Sequence, residues 1–114
     1  MPVFQWAVME ANLDPTAGAE QRGTRPVLIV SNEEFNQAMP NLTVLPLTSS
    51  KRQLYPSEVF IPQGKAGQPL NSIIMAHQIR TISKYRLKGL LGYLEDQQLR
   101  GEVCAAIKEH LNID

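Results

Sequence analysis

The chain has 114 residues, of which 43% are hydrophobic and 19% are charged. This length corresponds to one domain, and the composition argues against wholesale disorder and against a need for metal or disulfide support. Lys plus Arg number 11 and Asp plus Glu number 11, so the net charge is zero, which argues against a generally basic nucleic-acid coat.

Two strands joined by a long loop are predicted at the start of the chain. Residues Val3–Leu13 alternate apolar and polar side chains with the period of a half-buried strand. The loop Asp14–Thr24 opens with Asp-Pro, contains Gly18 and Gly23, and has no large apolar side chain; ordered loops of this length are often functional. The continuous apolar run within Arg25–Ser31 predicts a central strand covered on both faces.

A short helix and a third strand follow this central strand. Ser31 and Glu34 form a capping-box pattern, which predicts a helix over residues 32–39. Residues Leu42–Thr48 predict a third strand, and Pro46 within it marks an edge or a bulge, since proline lacks the amide hydrogen that a central strand donates.

Further strands are predicted in the second half of the chain, over Ser57–Ile61, Ser72–Ile82 and Leu90–Leu94, with a turn-rich connection over Pro62–Pro69. Between the last two strands, Ser83 caps a short helical turn through Leu87, which Gly89 ends. The pattern therefore predicts five or six short strands.

The last part of the chain, from Asp96 onward, predicts an amphipathic helix. Its apolar stripe consists of residues at four-residue spacing: Leu99, Val103, Ile107 and Leu111. Short strands joined by two short helices and closed by a longer one indicate a mainly β, α+β fold, built as a small, strongly bent barrel with helical additions over residues 1–114 as a single domain.

Cysteine, histidine and hydropathy patterns narrow the class of protein. A single cysteine, Cys104, excludes an intrachain disulfide framework and fits a reducing compartment. His77 and His110 lie too far apart for zinc-ligand spacing. The longest aliphatic run, Val27–Val30, is far shorter than the roughly 20 apolar residues that span a bilayer, and no signal-peptide pattern opens the sequence. We expect a cytoplasmic protein that has no membrane segment, metal or cofactor.

The charges are unevenly distributed along the sequence. Residues 20–90 hold nine basic and four acidic side chains, a balance of +5, whereas residues 1–19 and 91–114 carry −2 and −3. An anionic ligand is therefore expected to meet the middle of the chain. Ordinary scatter of charge is the alternative interpretation.

The loop and the strand that follows it bring together residues that can carry chemistry. A carboxylate, Glu20, lies in the loop just before Arg25, and Pro26 biases Arg25 towards extended backbone. An arginine held at a strand end can present its planar fork of donors to a phosphate. The alternative is a salt bridge between Glu20 and Arg25 that only ties down the loop.

Two further stretches are candidates for contact with an anion. Residues Leu45–Arg52 place three hydroxyls before Lys51 and Arg52, although a solvated turn would look the same. Residues His77–Ile82 alternate polar side chains along a predicted strand, which also fits an amphipathic strand with one wet face.

Three motifs, in this order and spacing, resemble the MazF/PemK family, the toxins of bacterial toxin–antitoxin modules. They are D-P-x-x-G-x-E-Q-x-G-x-R-P at Asp14–Pro26, the turn Leu47–Ser49, and the stretch Gln78–Ile82. The first motif is quite specific, and the similarity runs from about Trp6 to Leu111.

The resemblance implies a homodimer of small SH3-like, CcdB-like barrels. It also implies a sequence-specific endoribonuclease that cuts single-stranded mRNA without metal and thereby inhibits growth. In the family, the arginine before proline and the threonine of the turn carry catalysis, and they match Arg25 and Thr48; the loop glutamate, matching Glu20, is also implicated. RNA occupies a groove at the dimer interface until a separate antitoxin protein fills it.

Two departures from the family pattern concern recognition and proton transfer. Some members have an acidic residue where His77 stands, and a basic residue common near the N-terminus is replaced by the Phe4-Gln5 region.

This route of RNA cleavage requires no metal, because RNA is cut when its own 2′-hydroxyl attacks the adjacent phosphorus. The enzyme has to align these groups, stabilise negative charge and move two protons. Arg25 suits the charge role, Thr48 can donate a hydrogen bond, and the choice of base between Glu20 and His77 stays open. Unpaired bases are expected to meet loop side chains, for which the candidates are Gln21, Lys51, Arg52, His77, Gln78 and Arg80.

Two alternatives to the nuclease remain. A toxin of the same fold that binds DNA gyrase would use the C-terminal helix, near residues 104–114, and would not need Arg25. An inactive relative would retain the fold as a scaffold.

Overall fold

The computed structural model describes residues 3–114. This part of the chain contains seven strands, two α-helices and two 3₁₀ turns, joined by loops. The strands are β1 (Ala7–Asn12), β2 (Thr24–Ile29), β3 (Asn41–Thr48), β4 (Glu58–Ile61), β5 (Ser72–Met75), β6 (Arg80–Ser83) and β7 (Leu87–Tyr93). The helices are α1 (Glu33–Ala38) and α2 (Gln97–Leu111), and the 3₁₀ turns span Ala76–Gln78 and Lys84–Arg86. The predicted mainly β fold with short helices and a C-terminal helix is confirmed.

All strand pairs in the sheet are antiparallel, in the order β4-β5-β3-β2-β1-β7, and β6 also pairs with β3. The central position predicted for β2 is confirmed, because Val27, Leu28 and Ile29 are all 0% exposed. Leu28 packs in the core cluster that α2 covers, whereas Val27 and Ile29 pack in a second cluster on the opposite face. The apolar run is continuous because both faces of the strand are buried.

Helix α2 covers one face of the sheet through the predicted stripe. The Asp96 side chain caps the helix by accepting the amide of Leu99 at 3.0 Å. Val103 is fully buried, and Leu99 and Ile107 pack against the same core. Leu111, the last residue of the stripe, is 48% exposed, so the helix extends past the core it covers. Among residues 3–114, no helix is long and apolar enough to cross a membrane.

Strand β3 is internal, but it changes one of its neighbours partway along. On one side it pairs with β2, where Pro46 lies opposite Val27. On the other side the pairing with β6 ends at Val44 and the pairing with β5 begins at Leu47. Pro46 therefore lies in a two-residue gap, and the predicted edge is confined to this gap rather than to the whole strand.

The predicted capping box at Ser31 is wrong. Asn32 is the N-cap of α1, since its side chain accepts the amide of Phe35 at 2.8 Å. Ser31 instead donates its hydroxyl to Asn36 and accepts the amide of Thr43 at 2.9 Å, so it joins the helix to β3. Serine and asparagine are both good N-caps, and local sequence does not choose between neighbours.

Three other predicted boundaries differ in the structure. The single strand predicted over 72–82 is interrupted by the 3₁₀ turn Ala76–Gln78, where the chain passes from β5 to β6. The helical turn after Ser83 ends at Arg86, and β7 then runs through Gly89. The first strand begins at Ala7 rather than Val3, because Trp6 adopts a positive φ of 69° just before it.

The β4–β5 loop and β7, at opposite ends of the strand order, meet through two glycines. A Cβ atom on Gly67, whose φ is +85°, would lie 2.1 Å from the carbonyl oxygen of Leu91. A Cβ atom on Gly92 would lie 2.5 Å from the carbonyl oxygen of Ala66. This backbone contact brings the two ends of the sheet together and gives it the form of a small barrel.

Candidate active site

A cleft of about 300 Å³ opens where β2 begins and β3 ends. Its walls come from these strands, from β1 and from the residues before β5. The lining residues are Glu10, Thr24, Arg25, Pro26, Leu47, Thr48, Ser49, Pro69, Leu70 and Ser72. The two residues predicted to carry catalysis, Arg25 and Thr48, are therefore brought into one cleft although they are 23 positions apart in the sequence.

Arg25 is the second residue of β2 and lies opposite Ala11 of β1. Its side chain is half-buried, and its Nε donates to the carbonyl oxygen of Arg22 at 2.8 Å. Within the described residues its Nη nitrogens have no hydrogen-bond partner, so the fork of donors is available to a ligand in the cleft.

Thr48 ends β3 and is 7% exposed. Its Oγ1 lies 3.1 Å from Oγ of Ser50 and accepts the amide of Ser50 at 3.3 Å. The hydroxyl is thus oriented by the turn that follows the strand, next to the cleft it lines.

Glu10 is a cleft residue that the sequence did not single out. It lies opposite Pro26 on β1, and Pro26 also lines the cleft. It is the one carboxylate among the described lining residues, and none of the described residues forms a hydrogen bond or ion pair with it. Only its place in an alternating strand was visible in the sequence, so nothing distinguished it from an ordinary solvent-facing residue.

Glu20 lies outside this cleft, at the exposed tip of the β1–β2 loop, and Gln21 follows it there. The Glu20 carboxylate accepts the amide of Ala17 at 2.6 Å. Across residues 3–114 no ion pair joins Glu20 to Arg25, so the salt bridge considered as the alternative for this loop is not formed.

The base of the β1–β2 loop is held by two arginines, Arg80 at the start of β6 and Arg86 just before β7, the strand that pairs with β1. Arg80 donates to the carbonyl oxygen of Leu13 at 3.3 Å, and Arg86 donates to the carbonyl oxygens of Asn12 and Asp14. Arg80 therefore lies at the foot of the loop and lines neither the cleft nor the cavity beside it.

A larger cavity of about 600 Å³ adjoins the cleft and shares Ser49, Leu70 and Ser72 with it. Lys51 and Arg52, two of the residues predicted to contact an anion, line it. Its apolar wall consists of exposed side chains that the sequence did not point to: Leu54, Phe60 and Leu70. Cleft and cavity together form one groove.

A buried carboxylate, Glu58, fixes the cavity wall. Its Oε1 and Oε2 each accept an Nη group of Arg52 at 2.8 Å, and Oε1 also accepts the amide of Tyr55 at 2.7 Å. Oε2 lies 2.7 Å from Nε2 of His77. Burial raises the pKa of Glu58, but the hydrogen bonds from Arg52 and His77 outweigh it and hold the pKa at about 2.

His77 and Gln78 lie on the 3₁₀ turn rather than on a strand, and neither lines the groove. The ring of His77 lies edge-on to that of His110 on α2, with centroids 6.5 Å apart. Within the described part of the chain, no group of three His, Cys, Asp or Glu side chains is placed to hold a metal ion.

The fold and this groove define a class of protein. The family model of the PemK-like, MazF-like toxins of type II toxin–antitoxin systems matches residues 4–111, and the chain belongs to that family. The resemblance drawn from the three sequence motifs is confirmed.

Particular relatives agree with this placement. An endoribonuclease MazF of Staphylococcus saprophyticus is 38% identical over 104 residues, which make up 90% of this chain and 86% of the relative. The Mycobacterium tuberculosis toxin MazF-mt6 is 27% identical, with a TM-score of 0.78 over 95% of this chain and 98% of that one. A mycobacterial endoribonuclease in complex with its cognate antitoxin shares the fold at 24% identity, with a TM-score of 0.76 over 100% of this chain and 98% of that one.

Proposed function

We propose that this chain is a toxin that cleaves single-stranded mRNA as a sequence-specific, metal-independent endoribonuclease. The observation that carries the proposal is the meeting of Arg25 and Thr48 in one cleft. The relative named an endoribonuclease, at 38% identity, supports the reaction class.

The reaction we propose uses the substrate's own nucleophile. The 2′-oxygen forms a bond to phosphorus as the bond to the 5′-oxygen breaks, giving a 2′,3′-cyclic phosphate and a free 5′-hydroxyl. One proton leaves the 2′-hydroxyl and one reaches the departing 5′-oxygen. The Arg25 guanidinium stabilises the extra negative charge on the phosphoryl oxygens, and the Thr48 hydroxyl donates a hydrogen bond to one of them.

Two carboxylates are candidates for the group that accepts the 2′ proton. Family resemblance favours Glu20, whose loop would have to close over the substrate, because Glu20 lies at the loop tip. Location favours Glu10, which already lines the cleft with Arg25. His77 is less suited to this role, since it is bound to Glu58 outside the groove.

Replacing each carboxylate by its amide is expected to separate the two. The true base gives a single-turnover rate lowered by a factor of ~10² or more, with loss of the acidic limb of the pH–rate profile, whereas the other amide keeps that limb. The measurement is the pH dependence of cleavage for Glu10→Gln and Glu20→Gln side by side. Two unaltered profiles would exclude both residues.

The flanking RNA is proposed to follow the groove. Lys51 and Arg52 lie where phosphates next to the scissile one would pass. Gln21 lies on the β1–β2 loop, which leads into Arg25 of the cleft. Exposed apolar side chains such as Phe60 suit unpaired bases, which carry apolar faces. Contact with His77, Gln78 and Arg80 requires the RNA to continue beyond the groove, and these three stay predictions.

Membership of a toxin–antitoxin family supports a second copy of the chain and an antitoxin protein as partners. We propose that the chain acts as a cytoplasmic homodimer and that a cognate antitoxin protein occupies the groove and blocks RNA. A gyrase-binding role would rest on α2, whose stripe is largely used for packing against the barrel core.

The test is to incubate the purified protein with a mixed-sequence single-stranded RNA and to map the ends produced. We expect cuts at one short sequence, cyclic-phosphate ends, and unchanged cutting in excess EDTA, because the proposed chemistry needs no metal. Loss of cutting in EDTA that a divalent ion restores would contradict the mechanism. An intact RNA that contains every short sequence would contradict the nuclease.

A further inference from the structure

Glu58 does not line the cleft, but it holds the loop that connects Thr48 in the cleft to β4 and that forms a wall of the larger cavity. It begins β4, and the loop 49–57 that precedes it starts directly after Thr48. The side chain of Glu58 is 0% exposed, and its two oxygens accept four hydrogen bonds. A buried carboxylate that is fully hydrogen-bonded holds its donors in a narrow range of geometry.

The donors come from the loop and from the adjacent 3₁₀ turn. Arg52 is held by both Nη groups, and its guanidinium also covers the ring of Tyr55 at 4.1 Å. The amide of Tyr55 donates to the same carboxylate, and His77 binds it from the turn. Glu58 thus fixes the loop at positions 52 and 55, while Thr48 fixes its beginning.

The same loop supplies one wall of the groove through Ser49, Ser50, Lys51, Arg52 and Leu54. A guanidinium whose Nη groups both bind Glu58 is only partly free to bind phosphate. Its position instead determines where the exposed Lys51 and the two serine hydroxyls lie.

We propose that Glu58 is a positioning residue for RNA: by clamping Arg52 and the amide of Tyr55, it holds loop 49–57 in the shape that binds substrate. This inference rests on the proposed nuclease function. It places the effect of Glu58 on substrate binding rather than on the chemical step, because Glu58 holds the loop at Arg52 and Tyr55, beyond Ser50, the loop residue that contacts Thr48.

Glu33 offers a matched control. Burial raises its pKa, but hydrogen bonds from Gln37 and from the amides of Gln5 and Phe4 outweigh it and hold the pKa at about 2, as for Glu58. It lies on α1 and does not line the groove. Glu33→Gln therefore weakens the fold through a comparable carboxylate without touching loop 49–57.

The experiment measures KM and kcat for single-stranded RNA together with amide hydrogen exchange of residues 50–57. We expect Glu58→Gln and Arg52→Lys to raise KM by about tenfold, with kcat within about twofold, and to speed exchange in the loop. Glu33→Gln is expected to leave KM, kcat and the exchange of the loop unchanged. Arg52→Lys keeps a cation beside the buried carboxylate, so it tests the positioning role if Glu58→Gln does not fold.

An unchanged KM in the Arg52 and Glu58 variants, or an equal rise in the Glu33 variant, would overturn the positioning role while wild-type cutting stood. If the wild-type protein cuts no RNA, the nuclease proposal fails on its own. Hydrogen exchange of residues 50–57 still tests whether Glu58 holds the loop. Faster exchange in Glu58→Gln than in Glu33→Gln supports this role, and equal exchange overturns it.

Discussion

Replacing Arg25 by alanine is expected to lower the single-turnover rate of RNA cleavage by a factor of ~10²–10³, while the protein stays folded and dimeric. The reason is that removal of one group that stabilises transition-state charge typically costs about this much. The Arg25 fork is half-buried in the cleft, where its interaction with a phosphoryl oxygen is less screened than in water. Thr48→Ala removes the second donor and is expected to act in the same direction.

Arg22→Ala is the control for this measurement. Arg22 is an exposed cation of the same loop, and the group that holds Arg25 is its main-chain carbonyl, which alanine retains. Its rate is expected to stay within a few-fold of the wild type. Near wild-type single-turnover cleavage by Arg25→Ala or by Thr48→Ala would show that this cleft is not the catalytic site.

Replacing Gly67 by alanine is expected to reduce the free energy of unfolding by about 3 kcal/mol or more, since a left-handed backbone costs an L-residue 1–2 kcal/mol and overpacking adds a similar amount. The added Cβ would lie 2.1 Å from the carbonyl oxygen of Leu91, which is main chain and cannot rotate away. Urea unfolding gives the value directly.

Gly64→Ala separates the two causes. Gly64 lies in the same loop with a φ of +80°, but nothing lies within 4 Å of the position that a Cβ would take. Only the backbone cost of about 1–2 kcal/mol is expected there. Equal losses for the two variants would mean that the contact between the loop and β7 contributes little to stability.

The parts of the fold that the sequence predicts well are those with a strong local pattern. The continuous apolar run of β2 and the four-residue spacing in α2 both correspond to observed burial. The boundaries within 72–82 were not predictable, because the 3₁₀ turn that splits the stretch arises from the change of neighbour between β5 and β6.

For the candidate site, proximity was harder to predict than residue type. Arg25 and Thr48 were singled out by motif, and their shared cleft depends on the pairing of β2 with β3. Arg52 and His77 were singled out as candidates for contact with RNA, but their common partner Glu58 was not foreseen. The available signal was a lone acidic residue opening an apolar strand within the basic middle segment, and sequence alone gives no sign that its partners come from two different elements.

The hydrogen bonds at the base of the β1–β2 loop limit which part of this loop can move. Arg80 and Arg86 donate hydrogen bonds to the main-chain carbonyls of Asn12–Asp14, and the amide of Leu13 donates to the carbonyl of Gly23 at 2.9 Å. Opening of the loop is therefore confined to the residues between Leu13 and Gly23, and Arg25, outside that segment, keeps its register with Ala11 of β1. For the proposed nuclease this means that the loop tip, which carries Glu20, can move to admit RNA while Arg25 stays in place in the cleft.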